Sequence, residues 1–192
     1  MSRALSCMFQ DYHPMKFVKD ILFFDLETTS QDVERDVVLQ VGAVLLDRDN
    51  LLEKGFFNAY IRNSLLEGTL KEHAKLLGVH VEELKQAPKP LEVAKGFAGQ
   101  FGADVTLAVQ TPLRLFQLRQ LFKKQAVYFP YDLSAIDQWT LQYIYAARMG
   151  LKKIPSLHTL GEQFNLHIQH PHDAYERAKL EAGIFRKICQ EL

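Results

Sequence analysis

Residues 21–30 read "ILFFDLETTS". An apolar run ends on Asp25, a leucine, Glu27 and two threonines. Side chains alternate faces along a strand, so Asp25 and Glu27 point the same way, about 7 Å apart. Two like charges on one strand face repel. A divalent cation is the usual reason for such a pair.

Outward from this stretch, residues 20–27 predict a buried strand. "VVLQVGAVLLD" at 37–47 predicts a central strand and "GFFNAYIR" at 55–62 a third, joined by hairpin connections. Residues 67–86 turn helical, with a break at Gly78 and a stop near Pro88 and Pro90. A helix over 91–102, a short strand at 105–109 and a helix with a basic face at 113–125 follow. The latter carries Arg114, Arg119, Lys123 and Lys124, a face that is solvated or meets phosphates. Helices are predicted at 137–149 and 156–166, with Ser156 as N-cap. The last helix has one apolar stripe at 174, 178, 182, 185 and 188. Three strands, helices, a strand and more helices make an α/β protein, a mixed sheet flanked by helices.

Length and composition bound the rest. The chain has 192 residues, enough for one domain with a substantial core. Residues 1–18 read as a lead-in and 19–192 as the domain. Lys+Arg and Asp+Glu both total 23, so no bulk positive charge draws in nucleic acid, and any polyanion contact is local. Cys7 and Cys189 form no disulfide framework and no zinc spacing, which suits a reducing cytoplasm. No run reaches the roughly 18 apolar residues of a membrane span. Phe and Tyr together number 20, without periodic exposure, and read as core rather than as a base-stacking surface.

The order "FFDLETT", "LQVGAV", "GVHVEELKQAP", "AIDQWTL", "PSLHTLGEQFNL", "HDAYERA" resembles the DEDDh 3'→5' exonucleases, the family of the DNA polymerase III epsilon subunit and ribonuclease T. The similarity runs from about residue 20 to 188. It implies a ribonuclease-H-like fold and phosphodiester hydrolysis at nucleic-acid 3' ends. Four carboxylates would hold two Mg²⁺ or Mn²⁺ ions about 3.5–4 Å apart. The first two match Asp25 and Glu27. His172 matches the general base, and Thr28 and Thr29 stand where the family grips the substrate's 3' end. Ser30 replaces a glycine often seen there.

Two acidic ligands are missing. The last helix of the family reads H-x-A-x-x-D-A, and here Arg177 stands at the aspartate. The third aspartate falls on Gln117 in one register and Leu115 in another, and no Asp or Glu occurs from Val105 to Tyr131. A guanidinium cannot ligate a metal and is always charged. Arg177 is therefore expected to lie against Asp25 and Glu27 in place of the ions. Asp173 and Glu181, four residues to either side, are replacement ligands or surface partners of Arg177. His158, His167, His170 and His172 raise a transition-metal site, without standard zinc spacing.

Two functions follow. The first is a degenerate exonuclease, a module binding a single-stranded 3' end or a protein such as a polymerase. The second is a two-metal exonuclease with an altered ligand set.

Overall fold

The computed structural model describes residues 15–65 and 67–192. Five strands, β1 (Asp20–Thr28), β2 (Val38–Leu46), β3 (Glu53–Tyr60), β4 (Val105–Val109) and β5 (Ile136–Asp137), form one sheet in the order β3-β2-β1-β4-β5. The β1–β2 and β2–β3 pairs are antiparallel, and the β1–β4 and β4–β5 pairs parallel. β1 is therefore central, with Asp25 directly beside Gly42 of β2. Two-residue β5 was missed in the sequence, where residue 137 opens a helix. It carries no apolar alternation long enough to register as a strand.

Among the described residues the helices are α1 (Glu67–Leu77), α2 (Val81–Gln86), α3 (Pro90–Phe101), α4 (Pro112–Lys124), α5 (Gln138–Arg148), α6 (Leu157–Gln163) and α7 (Ala174–Glu191). Gly78 ends α1 at φ +70°, a left-handed conformation that glycine adopts without a Cβ penalty. Ser156 caps α6 by accepting from Thr159 N–H at 3.1 Å.

The alternation of β1 divides the core. Leu22, Phe24 and Leu26 face α3 and α4, where Phe97 meets Phe24, Phe57, Phe101, Phe122 and Tyr131 edge to face. Ile21 and Phe23 face α7 and pack on Ala182 and Phe185. Asp25 and Glu27 continue this second face, so the acidic pair points at α7. The stripe Ala174, Ala178, Ala182, Phe185, Ile188 is buried throughout.

Of the lead-in, residues 1–14, including Cys7, lie outside the described residues. Phe17 packs against Phe185 and donates its N–H to the Arg48 carbonyl. Cys189 is a free, buried thiol pushed up to about 12 by burial. Among the described residues no helix is long and apolar enough to cross a membrane. The aromatic residues divide: most are core, but Phe56, Phe116, Tyr128, Trp139 and Tyr143 are exposed.

Candidate active site: a carboxylate pair held by two arginines

Asp25 lies within the buried part of β1 with 4% exposure, and Glu27, just past Leu26, is half-buried. Both its oxygens face guanidinium groups. Arg114 Nε lies 2.7 Å from Oδ1, and Arg177 Nε bonds Oδ2. Oδ1 also accepts from the Leu26 N–H at 2.7 Å. Arg177 reaches on to Glu27 Oε2 at 2.9 Å and to the carbonyls of Leu26 and Pro171 at 3.1 and 2.9 Å. Its planar fork thus spans four acceptors. Burial works against the Arg177 charge, but Asp25 and then Glu27 outweigh it and hold the guanidinium more firmly charged than in water.

Neither register read for α4 puts a side chain on Asp25. Leu115 is buried in the core, and Gln117 turns the other way. Gln117 Nε2 donates to Asp36 Oδ2 at 2.7 Å, to the Ser30 carbonyl at 3.3 Å and to Thr28 Oγ1 at 3.4 Å. The α4 residue that meets Asp25 is Arg114, which also donates to Gln117 Oε1 at 2.9 Å. The basic face is therefore not uniform. Arg114 turns inward, and Lys124 donates to the Asp36 carbonyl at 2.9 Å. Arg119 and Lys123 remain in solvent.

Asp173 and Glu181 are not surface partners of Arg177. Asp173 is the α7 N-cap, accepting from Glu176 N–H at 2.9 Å and from Gln40 Nε2 at 3.0 Å. Glu181 is 1% exposed, behind Asp25. Burial, then the neighbouring Asp25 charge, pushes its carboxyl well above the usual range, with Arg177 and Arg114 opposing. Glu181 Oε2 and Gln138 Oε1 are buried polar atoms without a partner among the described residues.

These shifts give a pH prediction. A carboxyl raised in the folded state contributes stability below the ordinary glutamate value and loses it as pH rises toward the folded value. Glu181→Gln removes that loss. Urea midpoints of both proteins between about pH 4 and pH 8 should diverge as pH rises, the variant gaining. A constant gap would remove the assignment.

His172 Nδ1 lies 3.6 Å from Glu27 Oε1, an ion pair only when the imidazole is protonated, and its side chain is half exposed. Both threonine hydroxyls are engaged internally. Thr28 Oγ1 donates to the Ser30 carbonyl at 2.9 Å and Thr29 Oγ1 to Asp36 Oδ1 at 3.3 Å. Among the described residues no three His, Cys, Asp or Glu side chains converge to hold a metal ion, so the four histidines form no such site.

Two residues placing this site were not singled out in the sequence. Gln40, fully buried, donates to Asn58 and Asp173 and accepts from Ala174 N–H, anchoring the start of α7. Its only signal is an amide inside the apolar run of β2. Asp36 accepts from Gln117, Thr29 and the Ser30 N–H at distances from 2.7 to 3.3 Å. Lying seven residues past Thr29, it gives no local pattern that marks it.

A mixed sheet of this order, with an acidic pair on its central strand facing the last helix, defines a ribonuclease-H-like α/β protein. Residues 22–185 match the Exonuclease (RNase_T) family model, and the chain belongs to that family. It is 25% identical over 174 residues to the PolC-type DNA polymerase III of Caldanaerobacter subterraneus subsp. tengcongensis, covering 90% of this chain but 12% of the polymerase. Cell-death related nuclease 4 shares the fold at a TM-score of 0.76 and 19% identity, over 90% of this chain and 64% of that one. E. coli Exonuclease I in complex with a dT13 oligonucleotide gives a TM-score of 0.70 at 16% identity, over 88% and 41%.

Proposed function

We propose that this chain is an exonuclease-family domain that binds single-stranded nucleic acid without cutting it. One observation carries the reading: Asp25 and Glu27 are matched by Arg114 and Arg177. Two carboxylates and two guanidinium groups sum to zero charge. Exonucleases of this family generally use divalent metal ions, which need anionic oxygen ligands to replace their water. The donor set here does not fit that group. Arg177 and Arg114 occupy the carboxylate oxygens and would repel a dication.

Replacement ligands do not restore the balance. Burial disfavours the charged form of Glu181, and Asp173 is used as a helix cap. His172, Asp25 and Glu27 are then remnants of a catalytic set, while Thr28, Thr29 and Gln117 tie the loop after β1 to α4.

The test is degradation of 5'-labelled single-stranded DNA and RNA with Mg²⁺ or Mn²⁺. The expected result is no ladder, from wild type and from Asp25→Asn, Glu27→Gln alike. A ladder from wild type that vanishes in the variant would overturn the reading. A positive arm uses Arg114→Asp, Arg177→Asp, which gathers four carboxylates. Its Tm should rise with Mn²⁺, since a bound ion stabilises by mass action, whereas wild type should not respond.

A second reading, association with a polymerase, is favoured by the match to a PolC-type DNA polymerase III. Co-elution of the purified chain with such a polymerase on size exclusion would support it.

A further inference from the structure

Outside the carboxylate site, the outer face of α4 borders a hollow of about 700 Å³. Phe116, Arg119 and Lys123 stand three to four residues apart on that helix and share one stripe. The segment after α4 supplies the facing wall, with Tyr128, Tyr131 and Leu133. Phe116 is 50% exposed and Tyr128 84%, so each offers a ring face to solvent. The inner wall of the hollow, Phe129 and Tyr131, belongs to the aromatic core, whereas Phe116 and Tyr128 face water at its rim.

The charge is one-sided. Arg119 and Lys123 line the hollow, and no Asp or Glu does. Neither cation forms an ion pair with a described residue. The nearest carboxylate in sequence, Asp132, accepts from the Ser134 N–H at 2.9 Å and is held low by that bond. A chain with zero net charge has thus placed two free cations between two exposed rings. Val33 and Gln120 also line a second hollow of about 490 Å³, which adds Arg62 and Lys89. Its one acid, Asp36, is already committed to Gln117 and Thr29.

We propose that the outer face of α4 binds single-stranded nucleic acid, with Phe116 and Tyr128 stacking bases and Arg119 and Lys123 meeting phosphates. The inference rests on the binding role given above and names a surface for it that is distinct from Asp25 and Glu27. Cations alone would suit any acidic chain. Exposed rings interleaved with them suit bases, each of which has a face to stack. The stacking is indifferent to sequence, and the phosphate contacts make binding salt-dependent.

The experiment is fluorescence anisotropy of the full chain with labelled dT and U oligonucleotides of about 12 residues, in EDTA, across about 50–200 mM salt. Arg119→Gln, Lys123→Gln should weaken binding about tenfold at low salt and flatten the salt dependence by about 0.7 per lost contact. Tyr128→Ala should weaken it about fivefold with the salt slope unchanged. Lys152→Gln, Lys153→Gln removes equal charge from exposed positions outside the groove and should match wild type. Equal loss in both charge variants, no effect of Tyr128→Ala, equal displacement by polyaspartate, or no binding by wild type would each overturn the groove. A cleavage ladder in metal would overturn the non-cutting reading and leave the groove standing, equal loss in both charge variants with wild-type binding intact would overturn the groove alone, and no binding by wild type would overturn both.

Discussion

Replacing Arg177 with methionine should lower stability by about 3 kcal/mol, because it leaves buried carboxylates short of their main counter-charge. Methionine keeps the apolar stem of the side chain and removes only the charge and its donors. Arg177 is 16% exposed, Asp25 6% and Glu27 14% by side chain, so water compensates little. Breaking one partner of a buried pair costs about 3–5 kcal/mol, and the lower end applies because Asp25 keeps Arg114 and the Leu26 N–H. In a domain of this size the loss corresponds to a Tm lower by about 6–12 °C. Arg177→Lys should fall between, since one ammonium cannot span the four acceptors the guanidinium reaches. Urea unfolding of the singles and of Asp25→Ala, Arg177→Met closes a double-mutant cycle. A cost within about 0.5 kcal/mol of wild type for Arg177→Met would show that the ion pair does not hold the site together.

Gly42→Ala should cost as much or more, about 3 kcal/mol at least. Gly42 sits beside Asp25 in the sheet, where the first turn of α7 crosses β2. A Cβ there would fall inside contact distance of Tyr175 N, Tyr175 Cα and the Ala174 carbonyl carbon. These are backbone atoms, so no side-chain rotation relieves the clash. The helix must lift or slide. Because Arg177 lies less than one turn further on, the same shift draws its guanidinium from Asp25. Thermal unfolding reads the first effect. The Glu181→Gln pH series repeated in the Gly42→Ala background reads the second, since Asp25, Arg177 and Arg114 all act on Glu181. Wild-type stability in Gly42→Ala would mean that α7 does not press on β2 as closely as described.

Much of the fold was legible because its signals are local. β1, β2 and β4 are short apolar runs bounded by turn residues, and α7 repeats its apolar positions at helical spacing from 174 to 188. Gly78 and Ser156 mark helix ends through their own backbone and side-chain chemistry. The two-residue β5 was not legible, since its pairing with β4 depends on a neighbour distant in sequence.

The site divides the same way. By itself the sequence determined that Asp25 and Glu27 share a face, that an arginine stands on the last helix at position 177, and that no acid lies between Val105 and Tyr131. Spacing and charge suffice for these. Only the tertiary structure decided that Arg114 rather than Gln117 or Leu115 reaches Asp25, because the phase of α4 is fixed by how Leu115, Leu118 and Phe122 pack. It also turned Glu181 from a surface residue into a buried one, and gave Gln117 to Asp36 across 81 residues. Burial and long-range pairing are properties of the packed chain, and they set which charges here meet each other and which meet water.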